Sequence, residues 1–155
     1  MRGKKAKIRE IEPDLKYNST LVAKLINYVM KDGKKSIART IVYKALDEVK
    51  DKTKADEIEV LEKAVANLKP QVEVRSRRVG GSNYQVPVPV PPHRQISLAL
   101  RWLVQASRES RGSLEFWQVL AREIISAYNN EGNAIKKKED VIRMAEANKA
   151  FAQFA

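Results

Sequence analysis

The side chains that most often perform catalysis are scarce in this chain. It contains one histidine, His93, and no cysteine among its 155 residues. Without thiols or a second imidazole there is no basis for a transition-metal site or for a cysteine nucleophile. A dinucleotide-binding glycine loop, a nucleophile elbow and a His-Glu-x-x-His motif are also absent from the sequence. We therefore expect a binding protein, with no enzymatic activity, no cofactor and no metal.

The run Gly33–Ser36 (GKKS) superficially resembles a phosphate-binding loop. It lacks the earlier glycine of that motif, and no predicted strand precedes it, so we reject that interpretation. The run instead begins a predicted helix, where Lys34 and Lys35 oppose the helix dipole. Either the phosphate of a partner neutralises these two lysines, or they belong to a solvated turn.

Cationic side chains dominate the composition. The chain has 30 Lys and Arg against 19 Asp and Glu, a net charge of +11 and a pI near 9.9. Such an excess favours a polyanionic partner, most often a nucleic acid, with an acidic membrane surface as the competitor. No stretch approaches the roughly 20 apolar residues of a spanning helix. We expect a cytoplasmic protein without a membrane partner.

Residues 1–18 form a predicted basic arm. Five of the first nine residues are cationic. The arm has no apolar segment typical of a signal peptide, and it contains Glu10, Glu12 and Asp14, which transit peptides avoid. It is either an arm that becomes ordered on a partner or a disordered, solubilising tail. The cations of the arm are Arg2, Lys4, Lys5, Lys7 and Arg9.

The stretch 72–92, VEVRSRRVGGSNYQVPVPVPP, predicts a long β-hairpin. Valines alternate with other residues on both sides of Gly80–Asn83, and Gly-Gly followed by Ser-Asn is typical of a turn. Val72 and Val74 share one face of the first arm, and the even-numbered residues from Tyr84 to Val90 share one face of the second. The remaining parity carries Arg75 and Arg77 on one arm and Gln85, Pro87, Pro89 and Pro91 on the other.

The prolines indicate an edge that no further strand can join, and hence a free-standing ribbon with its base against helices. The projecting tip would then carry Arg75, Arg77, Arg78 and Tyr84. A basic ribbon with an aromatic side chain suits a nucleic-acid groove or a single strand. The alternative is a surface hairpin whose arginines are merely solvated.

Periodic apolar residues predict six helices around this hairpin. Ser19 or Asn18 caps the first, and Gly33 is its expected left-handed C′ residue. Asp56 caps the third, Pro70 ends it, and Ser113 starts the fifth. The stripe of the second includes Ile37. The expected ranges are 19–31, 34–50, 56–68, 94–108, 113–128 and about 134–147, and 148–155 either continues the last helix or trails off.

Further cations lie on these helices. Arg94, Arg101 and Arg108 recur every seven residues along one side of the fourth helix, where they either follow a nucleic-acid backbone or form an ordinary solvated face. We expect Trp102 beside them to be in the core. The segment 47–62 carries seven acids against three lysines and should face away from a nucleic acid. The last helix contributes Lys136, Lys137, Lys138 and Arg143.

Four blocks of the sequence resemble the bacterial small-subunit ribosomal protein seven family, in order and with the expected spacing. They are KDGKKS (31–36), VEVRSRRVGGSNYQVPV (72–88), LALRWL (98–103) and AIKKKEDVIRMAEANKAFA (134–152). The resemblance implies a mainly α fold, a six-helix bundle with an extended β-hairpin inserted between helices 3 and 4. We expect one domain over 1–155, divided into the arm 1–18, helices 19–70, hairpin 71–91, helices 92–147 and tail 148–155.

The resemblance also implies a function. Members bind the 3′ major domain of small-subunit ribosomal RNA, nucleate assembly of the subunit head, and lie near the transfer RNA exit site and the messenger RNA path. The cations of the arm, the Lys34-Lys35 turn, the ribbon, the fourth helix and the last helix would then face RNA. The ribbon tip, Gly80, Gly81, Ser82, Asn83 and Tyr84, would approach the exit site, and the tail a neighbouring ribosomal protein.

Two positions depart from the family pattern. Many members carry a basic residue where His93 stands, and many end in a basic, aromatic tail, whereas this chain ends Gln153-Phe154-Ala155. We expect a monomer within the ribosome. Three other hypotheses remain open: an architectural DNA-binding protein that uses the basic ribbon, a helical scaffold for protein partners, and an enzyme that depends on His93.

Overall fold

Six α-helices, one β-hairpin and a terminal 3₁₀ helix form the part of the chain that the structure describes, residue 3 and residues 9–154. The structure is a computed structural model. The hairpin lies between the third and fourth helices, which confirms the predicted fold class. The elements are α1 (Thr20–Val29), α2 (Lys35–Thr53), α3 (Glu57–Leu68), β1 (Val72–Val79), β2 (Ser82–Pro89), α4 (Pro92–Glu109), α5 (Phe116–Tyr128), α6 (Asn133–Ala147) and the 3₁₀ helix (Lys149–Phe154).

Side-chain caps determine where the first and third helices begin. The Ser19 hydroxyl accepts a hydrogen bond from the Val22 N–H at 3.4 Å, and the Asp56 carboxylate accepts one from the Glu59 N–H at 3.2 Å. Each side chain satisfies a backbone donor that has no partner within its helix. Both predicted caps are confirmed.

Four predicted helix boundaries differ by two or three residues, among them the start of α4, which lies at Pro92 and not at residue 94. Helix α1 ends at Val29, so Gly33 lies in the following turn, where it and Asp32 both have positive φ. Helix α2 continues to Thr53 and ends at the left-handed Lys54, because its carbonyls find partners for one more turn. Helix α5 begins at Phe116, since the capping box that starts it belongs to Glu115 and Gln118.

Apolar residues from all six helices form one core. Its largest fully buried side chains include Leu46, Leu61, Leu103 and Ile124. Trp102 is buried in a smaller cluster with Val90 and Leu98, which confirms its place inside the protein. Ile37 is 57% exposed, so its predicted core position is wrong: it lies in the first turn of α2, at the edge of the packed helices.

Side chains from one helix cap the ends of another. Asn67 of α3 donates to the carbonyls of Ala127 and Tyr128 at the end of α5. The Lys138 Nζ of α6 in turn donates to the Asn67 carbonyl at 2.7 Å. Since cations and amide donors satisfy the free carbonyls at a helix C-terminus, these bonds fix α3, α5 and α6 relative to one another.

The hairpin turns through two glycines. Gly80 and Gly81 have φ of +57° and +88°, which a two-residue hairpin loop requires and which glycine adopts without steric cost. The antiparallel register pairs Arg77 with Tyr84, and the Val90 N–H donates inward to the Gln71 carbonyl at 3.0 Å. Proline has no N–H to donate, so β2 can hold its prolines because the residues between them donate inward.

The register corrects the predicted faces of the ribbon. Directly paired residues share a face, so Arg75 lies beside Val86 and Arg77 beside Tyr84, whereas Val72 and Val74 share the face of Pro89 and Pro87. The valines of the two arms are therefore on opposite faces. A slip of one residue between the strands reverses such an assignment, and alternation within each strand does not show the pairing between them.

The structure confirms a two-stranded ribbon with its base against helices, but the ribbon is not free along its length. Its proline face and α6 line a common groove, in which Val72 and Pro87 lie across from Ile142 and Ala145. On the other face Tyr84 contacts the 3₁₀ helix. Residues 148–154 thus neither continue α6 nor trail off: the chain turns at Asn148 and packs along the ribbon.

Candidate nucleic-acid interface

A cleft of about 310 Å³ lies where the α1–α2 turn, the end of α4 and the start of α5 meet. Its polar lining is cationic, and no carboxylate belongs to the described residues that line it. Ile37 is exposed because it lines this open cleft, where it forms an apolar wall with Phe116. The residues that line it are Val29, Lys31, Lys34, Ile37, Ala38, Ile41, Arg108, Arg111 and Phe116.

The cleft, which we call the basic cleft, joins residues that are distant in the sequence. Lys34 lies just before α2, and Arg108 lies in the last turn of α4. Arg108 donates through Nη2 to the carbonyls of Tyr28 and Val29, at 3.3 and 3.2 Å, and so caps the end of α1. That contact holds the guanidinium at the cleft. Sequence reasoning identified Lys34 and Arg108 but missed Lys31 and Arg111.

The three ribbon arginines have different surroundings. Arg75 donates to Glu73, a carboxylate that is buried and also accepts from Arg94 of α4. Arg77 donates through Nη1 to the Phe154 carbonyl at 2.9 Å. Arg78 is exposed on the opposite face, beside the turn. Arg78 and Arg77 are therefore available to a partner, whereas Arg75 and Arg94 also hold the ribbon.

The pKa of Glu73 reflects this arrangement. Burial raises the pKa of the carboxyl group, but hydrogen bonds from Arg94 and Arg75 lower it by more, so the pKa lies below its ordinary value. Glu73 is therefore negatively charged at neutral pH, where RNA would be bound. Its charge offsets part of the positive charge at the ribbon base.

Three aromatic rings meet beside Arg77. The ring centroid of Tyr84 lies 5.2 Å from that of Phe151 and 5.4 Å from that of Phe154. Phe151 and Phe154 are near parallel, with 19° between their planes and 6.5 Å between their centroids. All three residues are partly exposed. We call this group the aromatic cluster. Sequence reasoning placed Tyr84 near the tip but missed both phenylalanines.

The basic arm leaves the bundle at a fixed point. The buried Asp14 carboxylate accepts from the Tyr43 hydroxyl at 2.8 Å and from the N–H groups of Lys16 and Tyr17. Burial and the hydrogen bond to Asp14 raise the pKa of Tyr43. Arg9 of the arm is exposed. The predicted contacts of Arg2, Lys4, Lys5 and Lys7 lie outside the described residues.

The remaining predicted cations are spread over α2, α4 and α6. Arg101 and Lys136 are exposed, and Lys35 is exposed beside the basic cleft. The other predicted cations of α6 already contact groups within the protein. Lys137 lies 3.9 Å from Glu109, Arg143 lies 3.3 Å from Asp140, and Lys138 caps α3 as described above.

The acidic segment 47–62 forms ion pairs of its own. Lys50 pairs with Glu57 at 3.2 Å, and Lys52 pairs with Glu48. Asp47 pairs with Lys16 at 3.0 Å. These acids are at the α2–α3 end and do not line the basic cleft.

Within the described ranges, no cluster of three or more His, Cys, Asp or Glu side chains has a geometry that could hold a metal ion. No helix in that part of the chain is long and apolar enough to cross a membrane. His93 is exposed in the first turn of α4.

Comparison with known proteins gives extensive similarity. The sequence profile of a family described as "Ribosomal protein S7p/S5e" matches residues 1–149. A protein of Dictyoglomus turgidum named "Small ribosomal subunit protein uS7" is 61% identical over 146 residues, 94% of this chain and 93% of the relative. Proteins of that name from Thermosipho africanus and Thermotoga maritima are 56% and 57% identical over 154 residues, 99% of both chains in each comparison.

Proposed function

The chain belongs to the ribosomal protein S7p/S5e family, and on that premise we propose that it is a structural component of the small ribosomal subunit that binds the subunit's RNA. The observation that carries this proposal is similarity over nearly the full length to proteins named for that subunit. The net charge of +11 supports a polyanionic partner. The role is binding, without a catalytic step.

We further propose where it acts. The hairpin and the KDGKKS turn resemble those of the family, which supports binding to the 3′ major domain of the ribosomal RNA and nucleation of head assembly. The turn Gly80-Gly81 and its neighbours would lie near the transfer RNA exit site and the messenger RNA path. Neighbouring ribosomal proteins of the head and platform, and a monomeric state within cytoplasmic ribosomes, belong to the same proposal.

The binding mechanism that we infer begins with phosphate neutralisation. In the basic cleft four cations converge within about 310 Å³, so a bend of the RNA backbone can place adjacent phosphates there. Each neutralised phosphate releases condensed counterions, which favours binding and makes the affinity depend on salt. The ribbon and Arg101 would extend this charged surface.

Selectivity would come from RNA shape and from unpaired nucleotides, because side chains cannot read the narrow major groove of an A-form helix. The apolar walls of the cleft, Ile37 and Phe116, suit the face of an unpaired base next to a phosphate. The arm 1–18, held at its base by Asp14, would add contacts that form only on the RNA.

A titration against two ligands tests the proposal. The ligands are a 3′-domain ribosomal RNA fragment and a duplex DNA of equal length, each at ~50 and ~200 mM salt. We expect a large preference for the RNA that persists at the higher salt. Equal binding that collapses with salt would instead indicate charge attraction alone and would favour the architectural DNA-binding hypothesis.

A further inference from the structure

We propose that the aromatic cluster of Tyr84, Phe151 and Phe154 binds the base of an unpaired nucleotide, with Arg77 holding an adjacent phosphate. The proposal rests on the RNA-binding function above and adds to it a site that includes the 3₁₀ helix. It assigns this helix to RNA recognition, in addition to any contact that it makes with a neighbouring protein.

The first argument for this site is the position of the three rings. Phe151 and Phe154 are three residues apart in a 3₁₀ helix, a spacing at which side chains lie one above the other. Tyr84 reaches both from β2, so three rings from two distant segments form one surface. Each of the three residues is partly exposed to solvent, whereas the core aromatic Trp102 is 7% exposed.

The charges around the rings carry the second step. Arg77 shares the face of Tyr84, whereas Arg78, the next residue of the strand, lies on the opposite face beside the turn. The bond from Arg77 to the Phe154 carbonyl uses one of five guanidinium N–H donors, and this neutral acceptor does not cancel the positive charge. The contact thus orients Arg77 toward the rings without neutralising it.

The chemistry of the combined surface identifies the ligand class. Aromatic rings bind any nucleobase by stacking, and cations beside them bind the backbone, which is the arrangement used for single-stranded nucleic acid. A paired base cannot offer its face because its neighbours in the helix cover it. The site therefore selects an unpaired nucleotide, with little preference for its sequence.

The test compares two probes with equal phosphate charge: a single-stranded oligouridine of about ten nucleotides, and the same strand with abasic interior positions. For the wild-type protein we expect roughly tenfold tighter binding of the oligouridine. The double variant Phe151→Leu/Phe154→Leu keeps the apolar volume but removes the rings, and should bind both probes alike. Met144→Leu, at an exposed apolar position of α6, is the matched control and should behave as wild type.

A second readout uses the wild-type protein, so that it does not depend on how the variant folds. The ring protons of Phe151 and Phe154 should shift in NMR spectra when oligouridine is added, and should stay in place with the abasic strand. Equal wild-type affinity for both probes, or unmoved ring signals, would overturn the proposal. So would tighter binding by the double variant, since the 3₁₀ helix would then be covering Arg77.

Failure of this site is distinguishable from failure of the proposed function. A protein that binds the ribosomal RNA fragment selectively but shows no base-dependent difference between the two short probes keeps the function and loses this site. A protein that fails to bind the ribosomal RNA fragment loses both.

Discussion

The Glu73 carboxylate accepts a hydrogen bond from Nε of Arg94 at 2.8 Å, which joins the base of the ribbon to the first turn of α4. The carboxylate is buried, and Arg75 from the same strand is its second cationic partner. An acid in a strand of arginines is unexpected for an RNA-binding surface. Its contacts give the reason: Glu73 fixes the direction in which the ribbon leaves the bundle.

Glu73→Gln should destabilise the protein and loosen the ribbon. We expect a loss of about 1–3 kcal/mol at neutral pH, because charge-assisted hydrogen bonds to a buried group are replaced by weaker ones. Denaturant unfolding measures the loss, with Glu139→Gln on the exposed face of α6 as the control. A variant as stable as wild type would contradict this role of Glu73.

The stability lost in Glu73→Gln should depend on pH. The pKa of Glu73 is lowered in the folded protein, so its contribution is fully present above the ordinary glutamate pKa of about 4.3 and is lost as pH falls through the lowered value. The difference in unfolding free energy between wild type and Glu73→Gln should therefore be constant from pH 5 to 7, to within about 0.3 kcal/mol, and shrink below about pH 4. A difference that grows in acid would reverse the assigned sign.

The ribbon arginines should separate into a structural member and binding members. Arg78→Ala should leave the unfolding free energy within about 0.5 kcal/mol of wild type and should lower the slope of log affinity against log salt by about 1. Arg75→Ala should in addition cost stability, because it removes a partner of Glu73. Salt titrations of RNA binding, paired with denaturant unfolding, distinguish the two. Equal stability of both variants would refute the distinction.

Sequence signals were sufficient where the physics is local. The caps at Ser19 and Asp56 and the Gly80-Gly81 turn involve groups a few residues apart, so their chemistry is visible in the sequence. The faces of the ribbon could not be predicted in this way, because alternation along each strand leaves the register between the strands undetermined. Here the register places Arg77 with Tyr84.

Contacts between distant segments account for what the sequence did not predict. Arg77 and Phe154 are 77 positions apart, and no periodicity links them. The basic cleft likewise depends on how α4 packs against α1, which brings Arg108 to the Val29 carbonyl. Each cation could be identified as a candidate from its type and spacing, but their meeting point is set by the packing of the core.

The basic cleft should act as a unit in RNA binding. Lys34→Ala and Arg111→Ala should each weaken RNA binding, and the double variant should weaken it by less than the product of the two effects, because a shared phosphate is lost only once. The control Lys44→Ala changes an exposed lysine of α2 outside the cleft. Multiplicative effects in a double-mutant cycle would indicate two separate contacts instead.

Tyr43→Phe should release the anchor of the basic arm. It leaves the buried Asp14 carboxylate without its hydroxyl donor, at a cost of about 1–3 kcal/mol. Since the pKa of Tyr43 is raised in the folded protein, this contribution is present below the ordinary tyrosine pKa of about 10 and is lost as pH rises through the raised value. Denaturant unfolding at pH 7 measures the loss of stability, and unfolding in alkali measures its disappearance, with Tyr28→Phe as the control. Loss of stability in both variants alike would argue against the anchor.

Gly132→Ala should be the most damaging of the glycine substitutions. Gly132 has φ +95° and ψ 176°, a region that only glycine adopts readily. An added Cβ would lie 2.9 Å from Oε1 of Glu123 and 2.9 Å from the Ser126 Cβ. It would therefore displace the buried carboxylate that accepts from the Ala134 N–H at 2.8 Å and caps the start of α6.

We expect Gly132→Ala to cost about 2–4 kcal/mol, the sum of backbone strain and a lost buried hydrogen bond. Gly112→Ala is the matched control: Gly112 also has positive φ, +55°, but a Cβ there meets nothing within 4 Å. Its cost should be about 1 kcal/mol, from the left-handed backbone alone. Because α6 supports both the ribbon and the 3₁₀ helix, Gly132→Ala should also weaken RNA binding, whereas equal effects of the two substitutions on stability would show that the Glu123 cap contributes little.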